Sequence, residues 1–276
     1  MRRLCQILFL TLSLSCAFAS SFKDCKRCAD NVEMVPLFEK RLKQASPGPN
    51  LLIPKKIHQI WLGGPLPEKF EAFCETWKTH HPDWEYKLWT DEDLPDFHFV
   101  TGNKINQSQN WAQKSDILRL EILNRYGGLY VDVDFMCFKP HDVLHYQSDF
   151  YAGLENRVIA NALIAAAPNH PIIRTFLQII EMTKKLHPHI DIVQQQTGPD
   201  MFTRIVNLQF PKCKHSVIYP CSYFFPIHCC GAFRNTFWGK NMDMQLINKH
   251  IKKSTYAAHL WAGTGGINRK LWHDLD

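Results

Sequence analysis

The chain has 276 residues, 45% hydrophobic and 21% charged, enough apolar material for a sizeable core in one domain. A net charge of +6 and a pI near 8.7 suit an anionic substrate, but the lysines and arginines are scattered. With no zinc-finger, RNA-recognition or helix-turn-helix signature either, nucleic acid is excluded as a partner.

Residues 1–19 read as a targeting segment. Met1-Arg2-Arg3 is a basic start, Leu4 to Phe18 is mostly apolar, and Ala17-Phe18-Ala19 fits a small-x-small cleavage site before Ser20. The apolar run is short of the ~20 residues a membrane span needs, so a cleaved signal peptide is expected, with an uncleaved signal anchor as the alternative. Export follows: to the ER and Golgi lumen or outside a eukaryotic cell, or to the periplasm or medium of a bacterium. Membrane contact is expected only through an uncleaved anchor.

The chain carries 10 cysteines, and those beyond the apolar segment are Cys25, Cys28, Cys74, Cys137, Cys213, Cys221, Cys229 and Cys230. An even set in an exported chain predicts disulfides, without fixing their connectivity. Cys25-x-x-Cys28 sits in a polar leader, so a structural bridge is the better reading than a redox pair. The group from Cys213 to Cys230 lacks a paired zinc spacing.

Residues 20–50 read as a stem, with an amphipathic helix over Asp30 to Gln44 broken by Ser46-Pro47-Gly48-Pro49-Asn50. The compact part is expected to begin at Leu51. Ile53 to Leu62 is strand-like and stops at Gly63-Gly64-Pro65; Pro67 to His80 is helical; Trp84 to Trp89 alternates as a second strand. Asn106-Gln107-Ser108 is an N-glycosylation sequon. Gln109 to Arg125 reads as a helix, with Ala112, Ile117, Leu120 and Leu123 near one stripe and Gly127 as its stop. Strands alternating with helices predict an α/β sheet sandwich.

Gly127-Gly128-Leu129-Tyr130-Val131-Asp132-Val133-Asp134 then runs from that helix into an apolar segment ending in two carboxylates. Alternation along a strand would put Tyr130, Asp132 and Asp134 on one face and Leu129, Val131, Val133 and Phe135 on the other. Two like charges on one face of a buried strand repel and lose hydration, a cost that a cation offsets. A hard ion such as Mn2+ or Mg2+ takes oxygen ligands and bridges carboxylates to phosphates. No Walker A loop, strand-linked G-x-G-x-x-G, G-x-S-x-G elbow or H-E-x-x-H pair is present; Gly263-Thr264-Gly265-Gly266 has the wrong spacing.

Four blocks in order now carry a resemblance: Ile53-Pro54-Lys55-Lys56-Ile57-His58-Gln59-Ile60-Trp61-Leu62-Gly63-Gly64, then His81 to Thr90, then Ser115-Asp116-Ile117-Leu118-Arg119-Leu120, then the Gly-Gly-x-Tyr-x-Asp-x-Asp segment. Softer echoes follow in Asn161-Ala162-Leu163-Ile164, Pro168-Asn169-His170-Pro171, Thr197-Gly198-Pro199 and His259-Leu260-Trp261. Residues 51–276 thus resemble glycosyltransferase family 32, the DXD-containing sugar-binding group that includes fungal α-mannosyltransferases. They are distantly similar to the catalytic domain of the clostridial glucosylating toxins.

The resemblance implies a GT-A glycosyltransferase fold, a Rossmann-like mixed sheet flanked by helices, over a catalytic domain at 51–276. It also implies transfer of a hexose from a nucleotide-sugar with retention of anomeric configuration. GDP-mannose is the favoured donor and a UDP-hexose the alternative; the acceptor is a glycan, glycolipid or protein. Asp132 and Asp134 become the DXD pair, with Asp134 on the metal and Asp132 on the metal or the donor. Trp61 matches a residue that stacks on the base, and Asp116 and Arg119 match residues that hold the donor sugar and phosphate. Asn161 falls near the donor sugar, His259 where a further metal ligand is added, and Trp261 where a phosphate donor is added. Independently, Asp116 and Arg119 lie three apart on a helix and so share a face. Two rival readings use the same residues: a metal-dependent phosphohydrolase, and a catalytically weak sugar-nucleotide-binding protein.

Overall fold

The computed structural model describes residues 33–155, 157–227 and 244–261. The segment read as a signal and Cys25, Cys28, Cys229 and Cys230 lie outside the described residues. Among the described residues no helix is long and apolar enough to cross a membrane.

Eight strands are described: β1 (Lys56–Ile60), β2 (Glu85–Trp89), β3 (Gly128–Val131), β4 (Phe135–Cys137), β5 (Phe150–Glu155), β6 (Val158–Ala166), β7 (Ser216–Tyr219) and β8 (Ala257–His259). The helices are α1 (Val35–Gln44), α2 (Glu68–His80), α3 (Lys104–Gln107), α4 (Trp111–Tyr126) and α5 (Asp142–Gln147), then α6 (Pro171–Met182), α7 (Ile190–Gln196), α8 (Pro199–Gln209), α9 (Cys221–Phe224) and α10 (Met244–Asn248). Six strands form one sheet in the order β2-β1-β3-β6-β5-β7, and β4 pairs β8 in a separate two-stranded sheet. Within the large sheet β6 alone runs antiparallel to its neighbours; the other pairings, β1 with β2, β1 with β3 and β5 with β7, are parallel. The carboxyl ends of β1, β3, β5 and β7 therefore open on one edge, where ligands bind in open α/β sheets.

Helix α4 is held at its start by Asn110, whose side-chain oxygen accepts from the N–H groups of Ala112 (2.8 Å) and Gln113 (3.3 Å). It is buried nearly all round rather than along one stripe: Ile117, Leu118, Leu120, Ile122 and Leu123 are buried, and so are Asp116, Arg119, Glu121 and Asn124. Packing against both the sheet and α6 explains the difference, since no face is left for solvent. Gly127 ends the helix at φ +62°, and Gly128 follows at φ +101° with a hypothetical Cβ only 2.7 Å from the Lys56 carbonyl. Both conditions select glycine, and together they turn a buried helix into a central strand without a loop.

Helix α1 falls within the segment read as stem. Helix α1 docks on the body: Phe38 is fully buried with its ring 4.9 Å from that of Phe210, and Leu42 is buried beside it. The helix is amphipathic as expected, but its apolar side belongs to the core. Among the described residues the expected disulfides are not seen: Cys74, Cys137 and Cys213 are buried free thiols, and Cys221 is buried as well. In a packed interior a thiol behaves as a small hydrophobe. Asn106 of the sequon is exposed on the one-turn helix α3, while Ser108 is buried against Gln113 at 2.8 Å.

Candidate active site

Strand β3 ends at Val131, one residue before the first carboxylate. Asp132 donates its N–H to the Ala162 carbonyl (2.9 Å) and accepts at its own carbonyl from Phe135 N–H (3.2 Å), closing a turn. Strict alternation through Phe135 is thus replaced by a turn that lifts Asp134 above the sheet edge. Leu260 N–H donates to the Asp134 carbonyl (2.9 Å), and β8 pairs with β4 so that His259 stands opposite Phe135. That pairing brings a residue 125 positions away against the carboxylates: His259 Nε2 lies 3.1 Å from Asp134 Oδ1. One potential ligand atom from each of Asp132, Asp134 and His259 lies within 4.8 Å of the others.

The opposite wall is the polar side of α4. Arg119 is 6% exposed, and its guanidinium lies 3.2 Å from Asp116, 3.5 Å from Asp132 and 4.6 Å above the Tyr130 ring. It also donates to the carbonyls of Asn161 (2.7 Å) and Ser115 (3.2 Å). Asp116 accepts from Asn161 Nδ2 (2.8 Å) and from Thr197 Oγ1 (3.1 Å). Burial pushes the Asp116 carboxyl up to about 6 against the opposing pull of Arg119. For Arg119, burial works against the charge, but Tyr130, Asp132 and Asp116 more than compensate, so it stays protonated. The Asp132 carboxyl is raised by burial and by Asp134 while Arg119 lowers it. For His259, burial favours the neutral ring, yet Asp134 and Asp132 raise its pKa overall. Two carboxylates and an imidazole thus face one another, a donor set suited to a divalent ion. His259 Nδ1 is a buried nitrogen with no hydrogen-bond partner among the described residues, an orphaned polar atom beside the carboxylates.

Six of the sequence-named residues, Asp116, Arg119, Asp132, Asp134, Asn161 and His259, therefore form one connected network. The two tryptophans stand beside it. Trp61 is half-buried just past β1, its ring 5.2 Å from Phe70 and its indole N–H on the Pro65 carbonyl (3.0 Å). Trp261 packs against the His259 ring at 4.0 Å, but its indole N–H, expected at a phosphate, is engaged by the Ile227 carbonyl at 3.0 Å.

Several participants escaped the sequence reading. Gln59 is fully buried, donates to the Asp132 carbonyl (3.3 Å) and accepts from Tyr86 Oη (2.7 Å), so it braces the carboxylate turn from below. Tyr130 donates to Asp132, and Thr197 to Asp116. Trp111, half-exposed at the start of α4, leans on Gly63, whose added Cβ would come 3.2 Å from its ring. Thr197 was visible as the residue before a Gly-Pro helix start; a lone glutamine or tryptophan carries no such signal.

Residues 67–151 match the family described as glycosyltransferase sugar-binding region containing DXD motif. It is 32% identical over 144 residues to inositol phosphoceramide mannosyltransferase 1 of Schizosaccharomyces pombe, covering 47% of this chain and 43% of that one. It is 29% identical over 268 residues to the mannosyl phosphorylinositol ceramide synthase CSH1 of Saccharomyces cerevisiae, covering 82% of this chain and 67% of that one. The chain spans about half the length of the curated relatives it matches. Its fold is that of the ligand-free glycosyltransferase domain from the YGT toxin, at TM-score 0.50 and 12% identity over 61% of this chain and 80% of that one. This is the GT-A arrangement expected from the sequence.

Proposed function

We propose that the protein transfers a hexose, mannose in the first instance, from a nucleotide-sugar to a glycan, glycolipid or protein acceptor, with retention of anomeric configuration and a divalent ion on the DXD pair. The observation that carries this reading is the convergence of Asp132, Asp134 and His259 within 4.8 Å, beside the buried guanidinium of Arg119. The names of the yeast relatives support mannose, hence GDP-mannose over a UDP-hexose, and favour a glycolipid among the acceptors. Entry into an exported compartment through residues 1–19 is part of the same proposal.

Bound at this site, Mn2+ or Mg2+ would supply positive charge to the diphosphate of the donor. The chain's own groups do the rest. Departure of a nucleoside diphosphate builds negative charge on the leaving phosphate, and Arg119, held by Ser115, Asn161 and Asp116, places a fixed cation there without reorganisation. Asp116, itself fixed by Asn161 and Thr197, offers carboxylate oxygens to sugar hydroxyls. Trp61 and Trp111 border the end of β1, where a base can lie against an aromatic face.

The test uses radiolabelled GDP-mannose, Mn2+ and inositol phosphoceramide vesicles, with and without EDTA. Labelled lipid should form with Mn2+ and disappear in EDTA. Asp134→Asn, which keeps side-chain volume and removes one ligand charge, should lose transfer by a factor of roughly 100 or more with its melting temperature preserved. Full transfer by this variant in EDTA sinks the metal reading. Free mannose phosphate as the sole product would favour the phosphohydrolase, and binding without turnover the inactive binder.

A further inference from the structure

The hairpin of β5 and β6 carries an irregularity at the functional edge of the sheet. Ala152 pairs with Ile164 and Leu154 with Ile159, so residues 160–163 of β6 stand opposite Gly153 alone. Bulges of this kind re-aim side chains and concentrate beside active sites. This one turns Asn161 into the Asp116 and Arg119 network. It also ends β5 on Glu155, which pairs with Val158 at the same carboxyl edge as Asp132.

Glu155 is a partly buried carboxylate with no hydrogen bond or ion pair among the described residues. Gly153, two residues earlier, lies against the ring of Phe225, and Phe225 in turn lies 6.1 Å from the His259 ring. Strands sit ~4.8 Å apart, so two strand spacings separate the end of β5 from that of β3, about the reach of one hexose beyond its phosphate.

Resting on the donor reading above, we propose that Glu155 is a donor-binding residue that accepts a hydrogen bond from a hydroxyl of the transferred hexose, on the side of the sugar opposite Asp116 and Asn161. Burial raises its pKa to about 7, which marks a carboxyl group waiting for a polar partner.

The experiment compares sugar-bearing and sugar-free ligands on the full chain with Mn2+: GDP-mannose against GDP, and UDP-glucose against UDP, by calorimetry. Glu155→Ala should weaken the preferred nucleotide-sugar roughly 10-fold to 100-fold, the range for hydrogen bonds to a charged group, and leave the matching diphosphate within about twofold, the scatter expected for a site not touched. Glu155→Gln, which retains an acceptor oxygen and the side-chain volume, should recover part of the loss and guards against a folding defect. Equal losses for nucleotide-sugar and diphosphate, or no loss for either, overturn the assignment of Glu155 alone. A wild-type protein that binds neither diphosphate nor nucleotide-sugar overturns the donor reading and this one with it.

Discussion

At the scale of single residues, burial decides which groups keep their protons. Trp89 donates its indole N–H to His58 Nδ1 at 3.2 Å, so the other ring nitrogen, 2.9 Å from the Gly127 carbonyl, carries the hydrogen and the imidazole is neutral. Burial holds this histidine down to about 4 and His145 down to about 3, and His141 is lowered in the same way. All three have folded pKa values below the ~6.5 of an unfolded histidine. Their contribution to stability is therefore complete above pH 6.5 and lost as pH falls from there toward 4. Each such group costs about 1.4 kcal/mol per pH unit in that window. Asp116 and Glu155, raised by burial, take up protons in the folded state over the same range and pull the other way. The check is therefore a difference in slope: melting temperature should fall less between pH 6.5 and 5 for His145→Gln than for the wild type, and equal slopes would show that the ring is not buried neutral. The His58 tautomer is set by partners 31 and 69 positions away in sequence.

Among the elements, the junction of α4 and β3 tolerates least. The site needs Asp116 and Arg119 on the helix and Asp132 past the strand to face one another, and the glycine pair sets that geometry in two residues. Gly128→Ala would place a methyl group 2.7 Å from the Lys56 carbonyl at φ +101°. Strain and clash together should cost roughly 2–4 kcal/mol, read as a lower urea midpoint with unchanged slope. A change below 0.5 kcal/mol would mean the junction relaxes freely. The helix, the glycine stop and the apolar strand were legible because they follow local periodicity and turn chemistry. The turn at Asp132 and the bulge at Gly153 were not, since both depend on which strand lies alongside.

The whole molecule extends further toward the N-terminus than its sequence suggests. Phe38 is fully buried against Phe210 on a helix that reads as stem. Phe38→Ala should cost roughly 3–5 kcal/mol, and a chain starting at residue 51 should melt lower than one starting at residue 33. Equal melting temperatures for those two chains would return α1 to the stem. An amphipathic pattern announces that one face will be covered and is silent about whether the cover is the same domain, a partner or a membrane.

The sequence by itself determined the α/β class, the order of helices and strands through β3, and the residues of the carboxylate pair and its arginine. These are written in contiguous blocks, where spacing of three on a helix and the glycine stop suffice. Only the tertiary structure decided that His259, at the far end of the chain, closes the site through the pairing of β8 with β4, and that Asn161, Thr197 and Gln59 brace the charged groups. It also decided that Cys74, Cys137, Cys213 and Cys221 are buried. Contacts of this kind join residues tens to more than a hundred positions apart, and their identity is fixed by strand order and packing, which no local pattern encodes.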